Sequence, residues 1–194
     1  MKLAILGGSF DPIHLGHLIL ADTVITNCNY DKVMFIPNKI APHKNISGKV
    51  LNNDRLNMLK LSIEYDDRFI LEEYELNNDR VSYTIDTLNY LYDNYNNIED
   101  KIGLIIGADL IRDFDKWKKP EKIADICNII VVNRGNDDNL CKENIDKYNI
   151  KVIMAPRIDI SSSLIRNRIK NKKGFRYFVH NKVYNYILKN KLYF

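Results

Sequence analysis

Long apolar runs are missing from this chain: none approaches the roughly 18 residues that a membrane-spanning helix requires, so no membrane insertion is expected. Cysteine is scarce. Cys28, Cys127 and Cys141 are odd in number and far apart, without the close pairs of zinc sites and redox motifs, so free thiols and no metal site are expected. Blocks of one charge are also missing. The net charge of +4 comes from 29 basic and 25 acidic residues interspersed along the chain, which favours small anionic ligands over nucleic acid. The start, Met1 to Gly8, has one charged side chain and a short apolar run that stops at glycines, too brief for a secretory signal; a cytoplasmic protein is expected. With no internal repeat and no linker, the expectation is a single domain over residues 1–194, with a helical part from about 161 to 194.

What is present is an ordinary globular composition, 45% hydrophobic and 28% charged, in a 194-residue chain long enough to bury a core without staples. Short runs rich in Ile or Val at 3–6, 32–36, 69–71, 102–106, 128–132 and 152–154 read as buried strands. Apolar residues at three- and four-residue intervals mark helices over 16–27, 53–65, 83–95, 109–117, 120–126, 162–172 and 181–191. This alternation predicts an α/β fold, a doubly wound parallel sheet with helices on both faces. The polar stretches 38–50 and 134–139 read as loops. In this architecture ligands bind at the carboxyl ends of the strands.

The segment Gly7-Gly8-Ser9-Phe10-Asp11-Pro12-Ile13-His14-Leu15-Gly16-His17-Leu18 joins the first strand to the first helix, where doubly wound folds bind phosphates. Gly7 and Gly8 let the backbone approach a ligand, and Gly16 removes bulk at the helix start. His14 and His17, three residues apart, can face one anion from the same side. Such charge-assisted hydrogen bonds contribute about 1.5–3 kcal/mol each. The string is neither the dinucleotide glycine fingerprint nor the lysine-containing P-loop. Towards the other end, Ser161-Ser162-Ser163 offers a helix cap and hydroxyl donors, with Arg166 about one turn further on.

The first segment resembles the His-x-Gly-His signature of the nucleotidylyltransferase superfamily in its longer form Gly-x-Phe-Asp-Pro-x-His-x-Gly-His, and 160–166 resembles that superfamily's second motif. Over nearly its full length the chain is similar to bacterial nicotinate mononucleotide adenylyltransferases. The matching segments are Pro37 to Lys44, Asp54-Arg55-Leu56, Ser82 to Leu88, Gly107-Ala108-Asp109, Phe114 with Trp117, Asn133-Arg134-Gly135, and the Tyr177 to Tyr193 tail. The resemblance implies a Rossmann-like nucleotidylyltransferase fold and adenylyl transfer from ATP, accompanied by Mg²⁺, to nicotinate mononucleotide.

On that resemblance His14, His17 and Arg166 are the catalytic candidates. ATP would meet Gly7, Gly8, Ser9, Phe10, Gly16, Gly107, Asp109, Arg134 and Ser161 to Ser163. The acceptor would meet His43, Lys44, Ser82, Tyr83, Thr84 and Trp117. Ser82 is expected to cap a helix beginning near Tyr83, leaving the amides of Tyr83 and Thr84 for the nicotinate carboxylate. Trp117, the only tryptophan, can stack on the pyridinium ring, an interaction of about 0.5–2 kcal/mol. Two alternatives stand beside this reading: a relative such as pantetheine-phosphate adenylyltransferase, and a non-catalytic nucleotide-binding module. Whether the chain forms a homo-oligomer stays open.

Overall fold

The computed structural model describes residues 1–39, 50–78, 81–133 and 140–194. Six strands form one sheet: β1 (Leu3–Gly8), β2 (Lys32–Pro37), β3 (Phe69–Leu71), β4 (Ile102–Gly107), β5 (Cys127–Asn133) and β6 (Lys151–Met154). Their order is β3-β2-β1-β4-β5-β6, and every neighbouring pair is parallel. The chain therefore winds outward from β1 in one direction and, after β3, returns to β4 and winds in the other. The reversal opens a crevice between the carboxyl ends of β1 and β4.

Strand side chains alternate between faces, and the core divides accordingly. Ala4 and Leu6 of β1 join Val33 and Phe35 of β2, Ile105 of β4 and Ile130 and Val132 of β5 on one face. Helices α1 (Leu15–Cys28) and α2 (Asn52–Ile63) cover that face with Leu20, Val24, Met58 and Leu59. Leu3 and Ile5, with Met34, Ile36, Leu104, Ile106, Ile129 and Val131, face the opposite way. There α4 (Thr84–Asn94) and α5 (Pro120–Ile126) supply Ile85, Leu88, Leu91 and Ile123. Burial on both faces explains why these strands read as continuous apolar runs.

All six expected strands are present, and the doubly wound parallel sheet is confirmed. Two short helices escaped the sequence reading, α3 (Tyr74–Asn77) and α6 (Lys142–Lys147), because one turn or so leaves no periodicity to detect. The expected helix at 109–117 is a 3₁₀ segment, Ala108–Lys116, which buries Ile111 and Phe114 at three-residue spacing. After β6 come α7 (Ser162–Lys170), a 3₁₀ turn at Arg176–Phe178, and α8 (Asn181–Lys189). Helix α8 docks on α2: Tyr186 Oη donates to Asp54 Oδ1 at 2.9 Å, and Lys182 Nζ pairs with Glu64 at 2.6 Å. Among the described residues no helix is long and apolar enough to cross a membrane.

Leu91 is fully buried between α4 and the sheet. Leu91→Ala is expected to destabilise the fold by about 2–5 kcal/mol, the usual cost of a large core truncation, as measured by urea unfolding.

Candidate active site

Gly7 and Gly8 close β1 beside Ile36 and Pro37 of β2, and the backbone then leaves the sheet to enter α1 at Leu15. His14 is the N-cap, with extended backbone, and His17 stands in the first helical turn. Their rings stack with centroids 3.7 Å apart, so the two imidazoles do share one side of the helix start. His17 Nδ1 accepts the His14 N–H at 3.2 Å. A neutral His17 ring consequently carries its proton on Nε2, where it remains a donor. A Cβ on Gly16 would stand 3.0 Å from His14 Nδ1, which ties this glycine to the seat of the His14 ring. Phe10 is only 1% exposed and packs between Phe35 and the edge of His17. Its ring is packed into the core beneath the loop.

The second motif meets the first. Ser161 caps α7, its Oγ accepting from Leu164 N at 3.1 Å, as expected. Ser162 Oγ donates to the Pro12 carbonyl at 2.9 Å. Arg166 donates through Nη1 to the Asp11 carbonyl at 2.6 Å and through Nη2 to Ser163 Oγ at 3.1 Å. Three further residues, absent from the sequence-based candidates, complete the arrangement. Arg55 of α2 is 1% exposed and donates to the Ser9 carbonyl at 2.5 Å and to Asn52 Oδ1 at 2.7 Å. Burial lowers its guanidinium from the usual value, and nearby Asp11 opposes that shift. Asp11 is itself buried, and its Oδ1 accepts from Tyr193 Oη at 2.6 Å. Arg55 had a readable signal: it precedes Met58 and Leu59 by three and four residues, which places an arginine on the core-facing side of α2.

On the other side of the Gly7-Gly8-Ser9 segment lies a cavity of about 210 Å³. Its lining includes Gly7, Gly8 and Ser9 together with Ser82, Tyr83, Thr84 and Trp117, with apolar walls from β4. Gly107 ends β4, the strand beside β1, and a Cβ there would collide with Asp109 Oδ1, so Asp109 folds back over the glycine. Of the residues assigned to ATP, Gly7, Gly8 and Ser9 thus share a cavity at the β1/β4 crevice with Ser82, Tyr83, Thr84 and Trp117 of the acceptor set. His43, Lys44 and Arg134 lie outside the described residues, as do most of the loop expected at 38–50 and all of that at 134–139.

The cytidylyltransferase-like family model matches residues 5–168. The chain belongs to the cytidylyltransferase-like family. A curated relative from Caldicellulosiruptor saccharolyticus, named "Probable nicotinate-nucleotide adenylyltransferase", is 41% identical over 199 residues, covering 100% of this chain and 99% of the relative. A relative of the same name from Borrelia garinii subsp. bavariensis is 39% identical, covering 100% and 95%. Among solved structures, Plasmodium falciparum nicotinic acid mononucleotide adenylyltransferase complexed with NaAD is similar in fold. Its TM-score is 0.81 at 24% identity, with 99% of this chain and 97% of that chain covered.

Within this cytidylyltransferase-like chain the acceptor end of the cavity departs from expectation at Ser82. Helix α4 begins at Thr84, with Tyr83 as its extended N-cap, and no side chain caps it. Ser82 lies too early in the chain to reach the first turn. Its buried hydroxyl sits beside the Glu75 carboxyl instead. The leading amides of α4 are thus left without a side-chain cap, the condition in which a helix start receives an anion. Glu75, on α3, accepts from Thr87 Oγ1 at 2.6 Å and lines the same cavity. Among the described residues no cluster of His, Cys, Asp and Glu forms a metal site.

Burial holds the Glu75 carboxyl above its ordinary value of 4.5, against the opposing Thr87 and Ser82 hydroxyls. A carboxyl whose value is higher folded than unfolded stays protonated in the native state after it has ionised in the unfolded one. Stability then falls as pH rises from 4.5 until native Glu75 also ionises. Glu75→Gln removes that slope. Urea midpoints taken across the pH range are expected to show the variant gaining on the wild type as pH rises, and a constant difference would contradict this.

Proposed function

We propose that this chain transfers the adenylyl group of ATP to nicotinate mononucleotide, forming deamido-NAD and pyrophosphate as a step of NAD biosynthesis. The observation that carries the proposal is one cavity lined both by Gly7 to Ser9, the loop that leads on to the two histidines, and by the uncapped start of α4 and Trp117. The names of full-length curated relatives support the same activity and set the related adenylyltransferases and a non-catalytic module aside. A cytoplasmic setting belongs to the proposal, and the three free thiols fit it.

Mg²⁺ would accompany ATP and neutralise phosphate charge, bound by phosphates and water, since no cluster of His, Cys, Asp and Glu among the described residues offers it a cage. An oxygen of the mononucleotide 5′-phosphate attacks the α-phosphorus in line while the bond to the bridging oxygen of the β-phosphate breaks, and pyrophosphate leaves. The nucleophile is already an anion, so no general base is needed. Catalysis then rests on positioning and charge stabilisation. In this proposal His14 and the Nε2–H of His17 donate to the α-phosphate and to the departing oxygen. Arg166 and the serines 161 to 163 hold the β- and γ-phosphates at the start of α7. Gly107, Asp109 and Arg134 border the nucleotide, and His43 and Lys44 meet the acceptor phosphate. The nicotinate carboxylate takes the amides of Tyr83 and Thr84, while Trp117 stacks on the ring.

Pyrophosphate release with ATP and each of nicotinate mononucleotide, nicotinamide mononucleotide and phosphopantetheine tests the assignment. A carboxylate received by helix amides gains a charge-assisted hydrogen bond that an amide lacks, so kcat/KM is expected to favour nicotinate over nicotinamide by about 10- to 100-fold. Preference for phosphopantetheine would overturn the acceptor while leaving the chemistry. His17→Ala is expected to lower kcat by about 10²–10³ with ATP binding kept. Near-normal turnover of that variant would remove His17 from the mechanism.

A further inference from the structure

Asp11 places a buried carboxylate within the proposed triphosphate site, where a second anion is unwelcome. Its surroundings explain how it is tolerated. Oδ1 accepts from Tyr193 Oη at 2.6 Å, and Oδ2 lies 3.9 Å from Arg166 Nη1, beyond hydrogen-bond reach. Arg166 spends that nitrogen on the Asp11 carbonyl and the other on Ser163 Oγ. The Arg166 side chain is 37% exposed, against 9% for that of Asp11.

Tyr193 reaches Asp11 by a path that the fold maintains at some strain. Helix α8 is fixed on α2 through Tyr186 and Lys182, and the chain beyond it turns back with both Lys191 and Tyr193 in the left-handed region, at φ 50° and 68°. Side chains other than glycine and asparagine seldom adopt that conformation. Burial and the neighbouring Asp11 charge hold the phenol well above its ordinary value. It therefore remains a donor.

We infer that Tyr193 is a positioning residue for ATP: by holding the Asp11 carboxylate, it keeps Asp11 from pairing closely with Arg166 and leaves that guanidinium to the triphosphate. Without the hydroxyl, Asp11 Oδ1 is a buried acceptor lacking a donor. Arg166 is the neighbour able to satisfy it, in a two-pronged pair that carboxylate and guanidinium favour. Asp11 then competes with the β- and γ-phosphates for the same N–H groups. Arg55 also acts on Asp11, but its Nη1 and Nη2 are taken by the Ser9 carbonyl and Asn52, which leaves its buried Nε alone without a partner and no two-pronged pair to offer.

The inference rests on the proposed ATP site, and calorimetric titration with a non-hydrolysable ATP analogue separates the two. A wild-type chain that does not bind the analogue would overturn the ATP site itself. With binding established, Tyr193→Phe is expected to weaken the analogue by roughly tenfold, the scale of one charge-assisted hydrogen bond. The same change made together with Asp11→Asn is expected to cost less than about twofold relative to Asp11→Asn alone, because a neutral amide does not draw Arg166 away. In turnover, Tyr193→Phe raises KM for ATP and leaves KM for nicotinate mononucleotide near the wild-type value. Equal losses with and without Asp11→Asn, equal rises in both KM values, or no loss of analogue affinity would each overturn the role assigned to Tyr193.

Discussion

Three carbonyl oxygens in the loop after β1, those of Ser9, Asp11 and Pro12, are taken by side chains from far along the chain: Arg55, Arg166 and Ser162. A loop at the end of a buried parallel strand has no sheet partner for these groups, and leaving them unmet in a buried setting would be costly. Their capture fixes the loop from behind. It also joins α2 and α7 to the end of β1, so helices distant in sequence share in shaping one turn. Helix α8 belongs to the same arrangement through its contacts with α2, and Tyr193 returns from it to Asp11.

The sheet topology supplies the other half of the site. Because β1 and β4 are neighbours across the reversal of winding, Gly7-Gly8 and Gly107 end side by side, with α4 and Trp117 on the wall between them. Charge and chemistry then divide along the crevice. The side of α1 and α7 carries two imidazoles, a guanidinium and hydroxyls, groups suited to phosphates. The side of α4 carries apolar walls, an indole and an uncapped helix start, suited to a flat ring bearing one carboxylate. Glu75 lies at that end, where burial favours its neutral form over a charge that would oppose the ligand.

Much of this was legible in the sequence, for local reasons. Strands buried on both faces read as apolar runs, helices of three turns or more show their periodicity, and the glycine- and histidine-rich segment places its own residues. Ser161 capped its helix as read, because an N-cap is a matter of three consecutive residues. Ser82 did not cap α4, since a shift of one residue in the helix start moved the hydroxyl out of range. Asp11, Arg55 and Tyr193 went unassigned because their bonds span 46 and 182 positions, and no local pattern records such contacts. Only Arg55 betrayed itself, as a charge on an apolar helix face.

The central claim is that phosphates and acceptor meet on the two sides of Gly7-Gly8-Ser9. A crystal structure of the chain with a non-hydrolysable ATP analogue and nicotinate mononucleotide tests it most directly. The triphosphate is expected across the start of α1, within reach of His17 Nε2 and Arg166, and the nicotinate carboxylate at the amides of Tyr83 and Thr84, with its ring on Trp117. A triphosphate bound away from this loop, or a nicotinate ring outside the cavity of Trp117, would contradict the account.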